Sequence, residues 1–403
     1  MSKTLYKNTS YLVIVQFVIM LIPLSVIPYL TRNLSLDEFG KTMLMLSISA
    51  FLLIITDFGF NISGTYKVSV KRAFKHKLER LLSAIFLIKF FLIIVIVSLI
   101  FLSYFLSFIG FKDSCYISLL VLSQSLSPVW FLQGVEKMKD ILIITLLSRL
   151  IYLSLVFSDG NISYDDVIVY TLIMNSLLTI FLYFKIFVLG YRISSFNSRY
   201  CLLVFKDSLS FFYSRLAVSL YTRLNTIILG TFSNTTQVAF FTSNEKIYTA
   251  SQSISSPVSR ALFPFMANKG SFLVFYKMIS AILVVGLLVA GMMFFYSKEI
   301  VVFVFGPEFI SSVSVFEIFI LISVITFVSM NFGYPVFSRL GKIEYANKSV
   351  LYGAFIQLMS IAFLIFNELI DAYHLVIALL ITETFVLLYR IYFFKKLTRN
   401  NYE

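Results

Sequence analysis

The chain has 403 residues, of which 59% are hydrophobic and 13% charged, and a net charge of +13. Two cysteines and two histidines leave no material for a disulfide framework or a histidine-rich metal centre. A composition this apolar excludes an ordinary water-soluble domain and points to a chain that lives in lipid.

Apolar runs of about twenty residues, each long enough to cross a bilayer core near 30 Å thick, recur along the whole sequence. They are predicted over 11–31, 40–62, 81–106, 115–134, 141–158, 167–189, 207–230, 236–264, 272–296, 312–334, 347–367 and 372–394. Lipid offers backbone groups no partners, so spans of this kind must be helices. The fold class is therefore an all-α polytopic membrane protein with about 12 transmembrane helices. Lys3 and Lys7 precede the first run as they would in a signal peptide. That run is too long, contains Pro23 and Pro28, and is followed by no small-residue cleavage site, so it reads as a retained helix.

Connector charge sets the orientation. With the amino terminus inside, the inner connectors carry Lys67, Lys71, Arg72, Lys75, Lys77, Arg80, Lys137, Lys139, Arg192, Arg199, Lys206, Lys269, Lys277, Arg339, Lys342 and Lys348. The outer ones hold only Arg32, Lys112 and Lys298 and are acidic instead, with Asp37, Glu38, Asp113, Asp159, Asp165, Asp166, Glu299, Glu308, Glu368 and Asp371. Both termini are expected to be cytoplasmic. The positive charge is spread over many inner loops, which marks it as a topology signal and argues against a nucleic-acid partner. Outer connectors are too short for a folded extracellular domain. Cys115 and Cys201 fall on opposite sides, which argues against a disulfide.

The sequence repeats itself weakly. Pro128–Gly134 (PVWFLQG) ends the fourth span and Pro335–Gly341 (PVFSRLG) ends the tenth. Leu34-Ser35 and Phe232-Ser233 follow the first and seventh spans. Each pair is six spans apart, so two parallel six-helix lobes related by a pseudo-twofold are expected, residues 1–195 and 196–403, around a central cavity.

Nothing in the chain resembles a Walker loop, a dinucleotide glycine pattern or a zinc-protease helix, and His76 and His374 have no metal-ligand partner at useful spacing. No catalytic residue, metal or cofactor is assigned. The informative residues are charges inside the spans, which are costly and usually functional. Lys185 and Arg390 lie near inner ends, where their long stems reach the surface. Arg149 sits near mid-membrane on the fifth span and Lys89 partway along the third. On the seventh, Arg215, Ser219 and Arg223 share one side of a helix. On the eighth, Glu245, Thr249, Gln252, Ser256, Ser259 and Arg260 share a face about 100° wide, with Lys246 beside Glu245. That face either lines a polar cavity or joins helices through hydroxyl groups. Pro257 and Pro264 are expected to kink or end this helix. Basic groups in the spans outnumber acidic ones, so the cavity should prefer an anion, and guanidinium forks fit phosphate oxygens. Arg149, Arg215, Arg223, Arg260, Thr249, Gln252, Ser256, Lys89 and Lys246 are the candidate substrate-binding residues. Asp57, Glu245, Glu317 and Glu383 are the candidates for coupling to H+ or Na+, or else counter-ions of the arginines.

Residues 27–40 (IPYLTRNLSLDEFG) followed by 57–61 (DFGFN) resemble the amino-terminal signature of the Wzx-type polysaccharide flippases. Residues 130–138 (WFLQGVEKM), 244–247 (NEKI), 261–264 (ALFP) and 305–309 (FGPEF) resemble its later signatures in order. The resemblance implies the multidrug/oligosaccharidyl-lipid/polysaccharide exporter (MOP) fold and carriage of an undecaprenyl-pyrophosphate-linked O-antigen repeat unit across the bacterial inner membrane. It also implies an O-antigen polymerase and a chain-length regulator as partners, alongside the bilayer. The alternatives are a lipid II flippase or a cation-coupled drug exporter of the same fold, or, in a different class, a membrane glycosyl polymerase or acyltransferase. A channel is a further alternative. The arginine excess disfavours drug export, and the short outer connectors disfavour a polymerase or acyltransferase.

Overall fold

Runs that must satisfy their own backbone hydrogen bonds fold as helices. The computed structural model, which describes residues 2–71, 73–193, 197–268 and 270–399, is built of little else. The helices are α1 (Ser2–Asn33), α2 (Leu36–Asp57), α3 (Phe60–Val70), α4 (Lys75–Phe105), α5 (Phe111–Ser125), α6 (Val129–Gly134), α7 (Met138–Ser158), α8 (Tyr164–Val188), α9 (Ser198–Phe232), α10 (Thr235–Ala267), α11 (Phe272–Phe295), α12 (Ser297–Phe305), α13 (Val313–Asn331), α14 (Tyr334–Arg339), α15 (Glu344–Phe366) and α16 (Ala372–Arg399). A 3₁₀ turn, Pro307–Ser312, follows α12. Helices α3, α6 and α14 continue α2, α5 and α13, and α12 lies in a connector, so these sixteen helices make twelve passes (16 − 4). Ten of the passes are apolar enough to be recognised as membrane spans by composition alone. The other two are α9 and α10, long at 35 and 33 residues but rich in Ser and Thr, with Arg199, Arg215 and Arg223 on α9.

The chain divides into two compact units, Met1–Val26 with Thr42–Ser219 and Ile27–Lys41 with Leu220–Glu403. The expected lobe boundary at 195/196 falls within 194–196, outside the described residues, as do the basic-loop residues Arg72 and Lys269.

In the first unit two of the expected spans are broken. The second runs as α2, a turn at Phe58-Gly59, then α3, and the fourth as α5, a turn at 126–128, then α6. Phe58 and Gly59 both have positive φ, 47° and 76°. A phenylalanine in that region is strained, and it persists only where its surroundings hold it. Here the Phe58 ring stacks on Phe205 at 4.2 Å and on Phe212 at 4.5 Å, while a Cβ on Gly59 would lie 2.9 Å from that of Phe211. The short pieces α3 and α6 then pack closely. A Cβ on Gly134 would lie 2.5 Å from Val68, so only glycine allows this approach. Helix α3 also takes up part of what the sequence suggested was a loop. Lys67 is helical and pairs with Asp207 at 2.9 Å.

In the second unit, residues 27–41 join the later helices. Arg32 donates to the carbonyl of Phe303, the Thr235 hydroxyl donates to Asp37, and Phe39 meets Phe309 edge-on at 5.8 Å. Pro257 and Pro264 do not end α10, which continues through both. In the turns before Pro257, three hydroxyls bond back to carbonyls of the same helix, Ser251 to Tyr248, Ser253 to Thr249 and Ser255 to Ser251. The two sequence repeats both mark a helix restart, with Pro128 capping α6 and Pro335 in the first turn of α14. Their shared glycines differ in use. Gly134 permits close packing, whereas Gly341 takes φ +65° after α14 with nothing near its Cβ position.

Gly134→Ala is expected to lower the thermal unfolding temperature of the purified protein, at a cost of about 1–3 kcal/mol from overpacking. Gly286→Ala on α11, where nothing lies within 4 Å, should leave it unchanged or raise it slightly. Equal effects of the two substitutions would contradict the close α3–α6 packing.

Candidate functional site

A helix that stops inside a membrane exposes carbonyl groups that lipid cannot satisfy. Helix α5 stops at Ser125, about 21 Å along its axis from Phe111. Lys89, about 21 Å along α4 from Lys75, donates to the Ser125 carbonyl at 3.0 Å and to Asp57 Oδ1 at 2.9 Å. Asp57 is the last residue of α2, so one ammonium group ties the ends of two broken helices together. Arg215 of α9 donates to the other oxygen, Asp57 Oδ2. Lys89 and Asp57 side chains are 4% and 2% exposed, whereas that of Arg215 is 35% exposed. The cluster therefore carries two cations on one carboxylate, and its surplus charge sits on the accessible member. Asp57, Lys89, Gln124 and Asn175 line a cavity of about 350 Å³ beside the two breaks.

Of the two roles open to Asp57, the structure shows that of counter-ion, to both Lys89 and Arg215. Arg149 lies on α7 about 16 Å from Met138 and is not among the residues that line the first cavity. Its Nη1 approaches the Met174 sulfur at 3.0 Å, its Nε is buried without an acceptor, and no carboxylate pairs with it among the described residues.

The second unit has its own polar cavity, about 170 Å³, lined by Gln252, Thr326, Ser329, Glu383 and Arg390. Arg390 does not snorkel as expected. It is 7% exposed and donates to the Ser329 carbonyl at 2.7 Å, near the end of α13, and to Ser349 Oγ at 2.9 Å. The break between α13 and α14 explains the difference, because the arginine caps a carbonyl there instead of reaching a surface. Glu383 is 8% exposed in the same cavity. Part of the polar face of α10 serves packing. Gln252 donates to Thr326, Ser251 meets Ser323 at 3.2 Å, and Ser259 donates to the Met330 carbonyl at 3.3 Å. Ser256, Glu245 and Lys246 are half-buried, with Arg223 within electrostatic reach of the last two, while Thr249, Arg223 and Arg260 are exposed. Glu317 accepts from Ser297 at 2.7 Å, one turn into α13 and far from Glu383 in helix register. Arg215 and Arg223 fall in different units, although both lie on α9.

Sequence reasoning missed the uncharged side chains of the first cavity, Asn61, Gln124, Ser127, Gln133 and Asn175. The signal was present in Phe58-Gly59 and Ser127-Pro128, since interrupted helices in a membrane mark binding sites.

A family model described as "Polysaccharide biosynthesis protein" matches residues 5–269. A protein of Escherichia coli (strain K12) called "Putative O-antigen transporter" is 26% identical over 277 residues, 66% of this chain and 65% of that one. One of the same description from Shigella dysenteriae is 23% identical over 394 residues, 95% of this chain and 98% of that one. Thus the first of these relatives is matched over just under two thirds of its length and the second over nearly all of it. Among solved structures, "Lipid II flippase MurJ, inward closed conformation" superposes with a TM-score of 0.74 at 11% identity, covering 96% of this chain and 87% of that one. An inward-facing multidrug resistance MATE family transporter of the MOP superfamily gives 0.68 at 13% identity, covering 96% and 99%. The fold is that of the MOP superfamily's membrane exporters and flippases.

Lys89→Met is expected to destabilise the protein by about 3 kcal/mol, because it leaves the buried Asp57 with Arg215 alone and a helix end uncapped. Lys89→Met with Asp57→Asn should recover part of that loss, as read from thermal unfolding of the four proteins of the double-mutant cycle. Additive losses would show that the two side chains do not interact.

Proposed function

Since the chain belongs to the polysaccharide biosynthesis protein family, we propose that it is a flippase for a lipid-linked oligosaccharide. Its substrate is an undecaprenyl-pyrophosphate-linked O-antigen repeat unit, moved from the cytoplasmic to the periplasmic leaflet of the bacterial inner membrane by alternating access. The termini are cytoplasmic, and an O-antigen polymerase and chain-length regulator receive the product. The observation that carries this reading is the charge imbalance of the first unit at bilayer depth. Lys89 and Arg215 share a single carboxylate, Asp57, and Arg149, without a carboxylate partner among the described residues, has no acceptor at its Nε. A cation held in that state is stabilised by an anionic ligand, and guanidinium suits pyrophosphate oxygens. Both curated relatives are described as putative O-antigen transporters, which supports the same substrate class.

In this mechanism Arg215 releases part of its hold on Asp57 when pyrophosphate arrives, and Arg149 supplies a second fork. Lys89 keeps Asp57 neutralised throughout, so the fold survives the exchange. An inside-negative membrane potential favours outward movement of the anion by about 2.3 kcal/mol per charge per 100 mV. Glu383 is the carboxylate we assign to H+ or Na+ coupling, because it sits deep in a cavity of its own. Arg223, Arg260, Lys246 and the hydroxyl groups of α10 complete the contacts with the head group as it passes.

The test is leaflet transfer in proteoliposomes with an undecaprenyl-pyrophosphate oligosaccharide. Arg215→Ala and Arg149→Ala should each slow transfer at least about tenfold, equivalent to the loss of a charge-assisted hydrogen bond, at unchanged protein level. Normal transfer by both variants would reject the role of these arginines. The second reading, a lipid II flippase, rests on the 0.74 superposition with that protein. Transfer of lipid II without transfer of the oligosaccharide lipid would select it.

A further inference from the structure

The 350 Å³ cavity of the first unit is large enough for a small ligand, and most of its polar lining carries no net charge. Its two charged members, Lys89 and Asp57, are spent on each other. Four carboxamides remain, those of Asn61, Gln124, Gln133 and Asn175, and among the described residues none of them makes a hydrogen bond through its side chain to protein. Asn175 is 9% exposed, so its amide is buried against the cavity and almost nothing else. Ser127 Oγ, at the α5–α6 break, is buried on the same wall without a partner. Asn61 is exposed and Gln124 and Gln133 half-buried, but Asn175 and Ser127 Oγ are buried, and buried polar groups are kept without partners only where a ligand or water supplies them.

We propose that this cavity is a sugar subsite, which takes a sugar ring of the lipid-linked substrate through amide–hydroxyl hydrogen bonds. The proposal rests on the flippase reading and adds to it the group that confers recognition of the head. A carboxamide carries one acceptor oxygen and a two-proton donor, and a sugar hydroxyl both donates and accepts, so each pair is satisfied in either sense. An anion would leave the amide oxygens facing negative charge, and a metal ion would leave the NH₂ groups facing positive charge. Leu53 and Leu178 supply apolar wall for the C–H face of a ring. The placement also follows from the fold. Asn61 and Gln133 lie just after the two helix breaks, and Gln124 and Ser127 at the second of them, while Asn175 is contributed by α8. The strained turn at Phe58-Gly59 thereby has a use, since it opens the space that the amides enclose.

The experiment compares binding of two probes to the full-length protein in lipid nanodiscs by native mass spectrometry. One probe is undecaprenyl pyrophosphate and the other is the same lipid carrying a single N-acetylhexosamine. Wild-type protein should bind the sugar-bearing lipid about tenfold more tightly, the effect of one or two hydrogen bonds. In Asn175→Leu and Gln124→Leu that ratio should fall to about twofold or less. A diazirine on the sugar, used with wild-type protein alone, should label residues 124–133 or 171–179. A ratio near one in the wild type, or a tenfold ratio retained by both variants, would overturn the subsite while leaving pyrophosphate carriage intact. Labelling confined to other segments would do the same, as would a cavity that holds only water and so gives no label. Failure of the wild type to bind either lipid would overturn both this proposal and the flippase reading.

Discussion

The structure depends on one requirement, that a helix ending inside the bilayer must find donors for its last carbonyls. Each unsatisfied group there costs several kcal/mol, so a break is tolerated only where something answers it. In the first unit Lys89 answers it at Ser125, and in the second Arg390 answers it at Ser329. Both cations also have an acid in the same cavity, Asp57 and Glu383 respectively. The two halves thus solve the same problem with different helices, α4 in one and α16 in the other. Where charge is used in this way it first holds the fold, and only the surplus is left for a ligand.

That distinction sorts the charged residues. Lys89 is fully committed, with one bond to a carboxylate and one to a carbonyl. Arg390 is committed through two serines. Arg215 shares its carboxylate with Lys89 and remains a third exposed, and Arg149 has a sulfur neighbour where an oxygen would serve it better. Burying a guanidinium without an acid is costly enough that its persistence argues for an occasional anionic visitor. The uncharged amides next to the first cluster supply a different kind of contact, directional and indifferent to sign. A lipid head with a charged and a neutral part would use both.

Much of this was legible in the sequence. The twelve passes follow from the spacing of apolar runs, and the repeated Pro-Val-aromatic motif marks the restart of α6 and of α14. Arg149 follows from depth alone, since a guanidinium half-way along a span has few places to go. The pairing of Asp57 was not legible, because Lys89 and Arg215 lie 32 and 158 residues away and only the folded chain brings them together. Arg390 was misread because its distance along the helix suggested a surface, and the nearby break was not visible as one. The amides went unnoticed because a periodicity argument weighs charge first.

Helix α11 has a further consequence. Of its 24 residues only Phe275 and Ile279 are buried, and an apolar space of about 310 Å³ separates part of it from α10 and α13. Its first two turns are anchored, with Phe272 on Phe394 and Phe275 on Phe332, so it is the stretch beyond Ile279 whose position surrounding acyl chains can set. Solubilising agents that replace those chains act on that stretch, and bilayer thickness becomes a variable of its conformation.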